Sequence, residues 1–156
     1  MKEFLIKGNV EKFNIKAENY SLKHRVNSLG RLTHKDITTS NSSGIILQYK
    51  GLDSAVLGYE MSNDLMKCES IQGGIRRFRE LVAIEWHKVL LNEAINIASR
   101  DKITTTISIP SARPEYQKVQ GLDYKNIERL IKRYDLNALF FGFTLDEKTG
   151  VYTKKI

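Results

Sequence analysis

The sequence predicts an α+β fold in which a mixed, mostly antiparallel central sheet is flanked by helices. Three strand-like runs follow one another between residues 45 and 72, with short turn-rich gaps between them. Such spacing is typical of an antiparallel meander. The longest helical pattern begins after Gly74, and a β-branched run at 103–109 follows it. Strand, long helix and strand in this order favour a right-handed crossover with parallel pairing.

The bulk composition is that of an ordinary globular protein. The chain has 156 residues, of which 41% are hydrophobic and 28% are charged. This length suits one domain, and we expect residues 1–156 to form a single domain. The single cysteine, Cys68, excludes an internal disulfide and is expected to be a small buried hydrophobe. Because no Cys/His spacing resembles a zinc site, no metal is predicted.

Charge and hydropathy limit the classes of partner. The net charge of +7 and the pI near 9.5 favour an acidic partner, and nucleic acid, a phosphorylated cofactor and an acidic protein all fit. A lysine-rich source organism would explain the same charge. No apolar run approaches the roughly 20 residues that span a bilayer. The N-terminus also lacks the apolar core of a signal peptide. A soluble, cytoplasmic protein without a membrane partner is therefore expected.

The periodicity of apolar residues predicts the remaining elements. Before the meander we expect, in order, short strands at 4–7 and 13–15, an amphipathic helix at 18–32 and an exposed loop at 38–44. The meander strands are predicted at 45–49, 55–61 and 65–72. After it we expect one helix of about six turns to residue 98, a strand at 103–109, a loop at 111–121, a helix at 122–141 and a hairpin of 143–145 with 151–153.

The stretch 65–102 holds the clearest candidate for a binding site. A strand ends at Gly73-Gly74, and the basic cluster Arg76, Arg77 and Arg79 leads into the long helix. The first-turn N–H groups of a helix lack intrahelical partners, and the helix dipole favours negative charge there. Glycine also lets a phosphate approach the backbone. The pattern predicts an anion-binding turn, with a plain strand-to-helix turn as the alternative.

The order of these elements resembles the GNAT-type N-acetyltransferase superfamily over residues 44–156. The local match is the helix end at 134–143, which finishes in Gly142-Phe143, and the hairpin at 146–152 that follows it. The resemblance implies an acyl-CoA N-acyltransferase fold and acetyl-CoA, or another acyl-CoA, as cofactor.

The resemblance also implies where the cofactor's pyrophosphate binds. The family signature is Gln or Arg, two residues, Gly, one residue, then Gly or Ala. Counted from Gln72, its fourth position here is Ile75 and its sixth is Arg77, whereas the glycines are Gly73 and Gly74. The cofactor-binding residues implied by the match are Gln72, Gly73, Gly74, Ile75, Arg76 and Arg77. The arginines would supply charge-assisted contacts to phosphate.

Two side chains are implied for catalysis. Many family members place a tyrosine four residues before the Gly of Gly-Phe, where it protonates the departing thiolate. Ala138 has that position here, and Tyr134 lies one helical turn earlier on the same face. Glu69 lies on the strand where some members hold a general base. A core tyrosine and an exposed strand glutamate are the alternative roles of these two residues.

Two functions follow from this resemblance. The first is an acyl-CoA-dependent N-acyltransferase that moves an acetyl group to the amine of a small molecule or a protein. The second is a non-catalytic binding module on the same fold. Its partner would be an acidic protein or a nucleic acid, bound through Arg76, Arg77, Arg79 and the basic region 23–35.

Overall fold

The computed structural model describes residues 1–26, 41–101, 104–122 and 124–156. Their backbone forms two compact units. The first comprises Met1–Tyr59 and Ser70–Ala94, and the second comprises Glu60–Glu69 and Ile95–Ile156.

The strands of the described residues form one mixed sheet in the order β1-β2-β3-β4-β5-β7-β6. They are β1 Tyr20–Arg25, β2 Ser43–Tyr49, β3 Leu52–Met61, β4 Leu65–Gly73, β5 Thr106–Pro110, β6 Thr144–Asp146 and β7 Val151–Lys155. The pairs β1/β2, β2/β3, β5/β7 and β6/β7 are antiparallel, and β4/β5 is parallel. The predicted fold class, meander, parallel crossover and terminal hairpin are confirmed.

The helices are short except for one. They are α1 Asn9–Lys12, α2 Phe78–Val82, α3 Trp86–Asp101, α4 Pro114–Gln120, α5 Ile127–Leu130 and α6 Asn137–Phe140. Single 3₁₀ turns occupy Lys2–Phe4, Ala17–Asn19 and Ile75–Arg77, and a π-helical turn occupies Ile131–Leu136. Within the described ranges no helix is long and apolar enough to cross a bilayer, and no group of His, Cys, Asp and Glu side chains could hold a metal ion.

The core of the first unit is centred on β2 and β3. The consecutive residues Ile45, Ile46 and Leu47 are fully buried, as are Val56 and Leu57 across the ladder. A strand buried on both faces reads as a continuous apolar run rather than an alternating one. This explains why these two strands were recognisable in the sequence.

The predicted structure of the N-terminal region is wrong. Residues 4–7 and 13–15 were expected to be strands, but the chain there forms a 3₁₀ turn, the short helix α1 and an isolated bridge between Leu5 and Ile84. The predicted helix at 18–32 is also wrong where it is described, because β1 pairs with β2 along its whole length, from Tyr20↔Tyr49 to Arg25↔Gly44. Strand pairing here overrides a helical spacing of apolar residues. Residues 27–40 lie outside the described ranges.

The long helix predicted after Gly74 is interrupted at residues 83–85. The Ile6 N–H donates to the Ala83 carbonyl at 3.0 Å, and the Glu85 N–H donates to the Phe4 carbonyl at 2.8 Å. In a continuous helix, the Ala83 carbonyl and the Glu85 N–H would bond within the helix, but here they bond to the N-terminal segment. The predicted single helix is therefore divided into α2 and α3.

The predictions for residues 111–141 need two corrections. The expected loop contains α4, which has Pro114 in its first turn and the left-handed Gly121 as its C-cap. Both are recognised boundary signals that the sequence contained. The following helix starts at Ile127 instead of residue 122 and carries the π turn Ile131–Leu136. The β-branched run is a strand only from Thr106, with residues 102 and 103 outside the described ranges.

Candidate active site

The parallel strands β4 and β5 part a short distance along β4. Among the described residues, their register comprises Leu65↔Thr106, Met66↔Ile107 and Lys67↔Ser108. Beyond Ser108, β5 continues beside β7, with Ile109 opposite Tyr152. Cys68 and Glu69 follow the last of these pairs on β4. Where two parallel strands part, an extended amide-bearing ligand can hydrogen-bond to the strand backbone.

A cavity of about 170 Å³ opens where this pairing ends. Its lining residues all belong to the second unit. The polar lining side chains are Lys67, Glu69, Ser108 and Gln120. The remaining lining residues are Cys68, Pro110, Leu122 and Val151. A partly apolar cavity with a few converging polar groups is the usual form of a small-molecule site.

Lys67 and Glu69 form an ion pair at the cavity. Lys67 Nζ lies 3.2 Å from Glu69 Oε1, and the side chains are 58% and 36% exposed. Successive side chains of a strand point to opposite faces. Lys67 and Glu69 thus share one face of β4, whereas Met66 and Cys68 are buried on the other. The predicted burial of Cys68 is confirmed, and burial raises the pKa of its thiol to about 12.

The two predicted catalytic residues are placed differently. Glu69 lines the cavity, whereas Tyr134 is not among the described lining residues. Tyr134 is buried on the π turn, with its ring 5.9 Å from that of Tyr124. Burial raises the pKa of the Tyr124 phenol, and the neighbouring Tyr134, including a side-chain hydrogen bond with it, acts in the same direction. Ala138, one turn later, is fully buried.

A buried carboxylate, which the sequence reading missed, joins β5, the π turn and β7. Asp135 Oδ1 accepts hydrogen bonds from Ser111 Oγ at 2.6 Å and from the Tyr152 hydroxyl at 3.1 Å. Asp135 Oδ2 accepts from the Ala112 N–H at 2.9 Å, and Arg113 Nε lies 3.5 Å from Oδ1. Burial raises the pKa of Tyr152 to about 12, and the Asp135 charge adds to this. No local sequence signal marks such a long-range network.

In the first unit, the two glycines of the predicted anion-binding turn already have structural roles. A Cβ on Gly73 would lie 2.7 Å from Leu81 Cδ1 and 3.2 Å from the Trp86 ring. A side chain at position 73 would therefore require the Leu81 side chain and the Trp86 ring to shift. The Gly74 N–H donates to the Ser54 carbonyl at 2.9 Å. That donor is already used within the protein.

The arginines of the basic cluster are not equivalent. Arg77 Nη2 lies 2.7 Å from Glu80 Oε1, and Arg77 Nε donates to Ser54 Oγ at 3.2 Å. Arg79 Nη2 donates to the Phe13 carbonyl at 2.8 Å. The neighbouring residues Ile75 and Arg76 are exposed. Gln72 is half-buried near the end of β4. The contacts of Arg77 and Arg79 therefore include bonds that hold the first unit together.

The fold of this chain is also found in a solved structure. The chain is similar to Arabidopsis thaliana Naa50 in complex with the bisubstrate analogue CoA-Ac-MVNAL, at 12% identity and a TM-score of 0.51. This match covers 88% of the present chain and 99% of Naa50. The chain has the GNAT N-acyltransferase fold. The resemblance inferred from element order is confirmed at the level of the GNAT fold.

A second structure of this kind is Ard1 from Thermoplasma volcanium, at 12% identity and a TM-score of 0.47, with 86% of the present chain and 95% of Ard1 covered. No protein-family model and no curated protein matches the sequence. At this identity the similarity to Naa50 concerns the GNAT fold alone, and the bisubstrate analogue is a ligand of Naa50 itself.

Proposed function

We propose that this chain is an acyl-CoA-dependent N-acyltransferase that transfers an acetyl group from acetyl-CoA to a primary amine. The observation that carries the proposal is the parting of β4 and β5 after Lys67 and Ser108, with a cavity of about 170 Å³ at the point of parting. The pantetheine arm of an acyl-CoA is an extended chain with two amides. It suits the point where two parallel strands part, because peptide groups pair with amides as they pair with another strand.

The reaction is direct attack of a neutral amine on the thioester. The amine nitrogen bonds to the acyl carbon, the C–S bond breaks, and CoA departs as a thiolate that takes up a proton. Glu69 supports the first half of this scheme, because it lines the cavity with a side chain that is 36% exposed. In the proposed role its carboxylate accepts the proton that the amine loses.

The remaining predicted residues keep their roles as proposals. Tyr134 is proposed to protonate the thiolate, and its burial against Tyr124 is equally suited to a role in packing. For the pyrophosphate, Arg76 is proposed because its side chain is exposed. Arg77 is proposed with it, and its Nε and Nη2 atoms also bond to Ser54 and Glu80. Backbone N–H groups of Gln72, Gly73 and Ile75 are proposed to contribute as well, whereas that of Gly74 donates to the Ser54 carbonyl.

The first experiment measures the melting temperature with CoA and with acetyl-CoA at millimolar concentration. A ligand that binds only the folded state stabilises it by mass action, by about 3 kcal/mol at a hundred times Kd. We expect a rise in Tm with both ligands. No rise with either ligand would contradict the proposal. If a short nucleic acid binds and its affinity falls steeply with added salt, the nucleic-acid-binding alternative is supported instead.

The second experiment measures release of CoA thiol in the presence of an amine. Glu69→Gln keeps the size of the side chain and removes the base, so we expect kcat to fall about 100-fold with little change in acetyl-CoA affinity. Glu147→Gln is the matched control, because Glu147 lies in the exposed turn between β6 and β7. Cofactor binding without turnover in the unmodified protein would indicate the non-catalytic binding module.

A further inference from the structure

We infer that the acceptor is a free α-amino acid with a small apolar side chain, and that Lys67 recognises its carboxylate. This inference rests on the proposed function, since it names the substrate class of the same cavity. The observation behind it is that Lys67 and Glu69 line the cavity together as an ion pair of opposite charges.

The ion pair is suited to exchange with a ligand. Lys67 Nζ and Glu69 Oε1 are 3.2 Å apart, and both side chains are partly exposed, so solvent screens their attraction. Breaking this ion pair to form two ion pairs with a ligand therefore costs little free energy. An α-amino acid carries an ammonium and a carboxylate on one carbon, which matches the adjacent carboxylate and ammonium of Glu69 and Lys67. The same alignment brings the ligand's amine to the proposed base.

The apolar part of the cavity lining bears on the side chain of the acceptor. The cavity has a volume of about 170 Å³. The lining residues Pro110, Leu122 and Val151 supply an apolar wall for a short side chain.

The charge pattern argues against two other amines. A simple alkylamine would pair with Glu69 and leave Lys67 with no new partner to replace its ion pair. A polyamine would bring a second positive charge towards the Lys67 ammonium. Both kinds of amine therefore form fewer favourable ionic contacts in the cavity than an α-amino acid does, and selectivity should follow the carboxylate.

The test compares alanine, alaninamide and ethylamine as acceptors in the acetyl-transfer assay. Alaninamide keeps the amine and methyl group of alanine but has no negative charge. We expect kcat/KM for alanine to exceed that for alaninamide by about twofold to fivefold. Lys67→Met should raise KM for alanine by a similar factor, with kcat nearly unchanged, and should leave alaninamide unaffected.

The control variant is Lys155→Met, which removes the same charge from an exposed position on β7. It should leave the preference for alanine intact. Equal use of alanine and alaninamide, with no effect of Lys67→Met, would overturn the inference while transfer itself supports the proposed function. Absence of transfer to any amine would count against the proposed function. Calorimetric titration of alanine into the cofactor-free protein and into Lys67→Met then tests the inference alone, and equal affinities would overturn it.

Discussion

Arg77 and Glu80 form a nearly buried ion pair one helical turn apart, with Nη2 and Oε1 separated by 2.7 Å and side chains 13% and 10% exposed. The same guanidinium donates to the Tyr49 carbonyl at 3.4 Å and to Ser54 Oγ at 3.2 Å. The Glu80 carbonyl in turn accepts a hydrogen bond from the Tyr20 hydroxyl at 2.6 Å. Arg77 thereby connects strands β2 and β3 of the first unit to the start of α2.

Arg77→Met should destabilise the protein by about 3 kcal/mol, because it leaves the Glu80 carboxylate buried without its cation. Arg76→Met is the matched control and should cost less than about 0.5 kcal/mol, since Arg76 is exposed. Urea unfolding followed by circular dichroism measures both. Adding Glu80→Met to Arg77→Met should restore part of the stability, because no unpaired charge then remains. An equal loss of unfolding free energy in the two arginine variants would show that the Arg77 contacts do not stabilise the fold.

Arg76→Met should weaken acetyl-CoA binding about tenfold if Arg76 contacts the pyrophosphate, because charge-assisted hydrogen bonds to phosphate are among the stronger ones. The measurement is a calorimetric titration of acetyl-CoA. The affinity for acetyl-CoA should also depend less on salt concentration than in the unmodified protein, since one ionic contact is lost. Unchanged affinity would remove Arg76 from the proposed cofactor site.

Gly73→Ala should destabilise the first unit by about 1–3 kcal/mol, because the added methyl group would overlap the Leu81 side chain and press on the Trp86 ring. The same substitution in a Leu81→Ala background should cost much less, since its closest neighbour has been truncated. Urea midpoints of the four proteins in this cycle give the coupling. An equal cost in both backgrounds would locate the effect in the backbone rather than in this contact.

The parts of the fold that were predictable are those in which local pattern and tertiary role agree. β2 and β3 are buried on both faces and were visible as apolar runs, and alternation along β4 placed Cys68 inside and Glu69 outside. The misread parts depend on distant partners. The break before α3 comes from backbone bonds of Phe4 and Ile6, about eighty positions away in the chain.

In the candidate site too, residues marked by a local pattern could be predicted, and residues that depend on distant partners could not. Glu69 was proposed from the family resemblance and its strand position, and it lines the cavity. Lys67 lies two residues earlier on the same face of the strand, so the same alternation would have indicated it. Asp135 was not predictable, since its partners Ser111 and Tyr152 meet it only in the folded chain. The glycines and Arg77 matched an anion-binding pattern, yet part of that pattern arises from packing and from the Arg77–Glu80 pair.

Tyr152 should make stability fall at alkaline pH. Its folded-state pKa is raised to about 12 from an ordinary value of 10.0, because the phenol is buried beside the Asp135 carboxylate. The stabilising contribution is fully present below about pH 10, the unfolded value, and is lost as pH rises towards 12. Tyr152→Phe should cost about 1–2 kcal/mol at pH 8 through the lost hydrogen bond to Asp135.

The measurement is the difference in unfolding free energy between the unmodified protein and Tyr152→Phe at several pH values from 8 to about 11.5. Other tyrosines titrate in both proteins and cancel in this difference. We expect the difference to shrink above pH 10. A difference that is constant with pH would show that the Tyr152 phenol does not resist ionisation.

Cys68 should resist alkylation until the protein unfolds. Its thiol is buried and has a pKa raised to about 12, so only about one molecule in ten thousand is a thiolate at pH 8. In the unfolded chain, with a pKa near 8.5, roughly a quarter would be thiolate. Iodoacetamide should therefore react with the native protein at least about a thousandfold more slowly than with the protein in urea, by intact mass measurement. Because Cys68 is the single cysteine, every labelled molecule reports on this position. Comparable rates in the two states would mean that the cavity admits the reagent to a thiol ionised in the native protein.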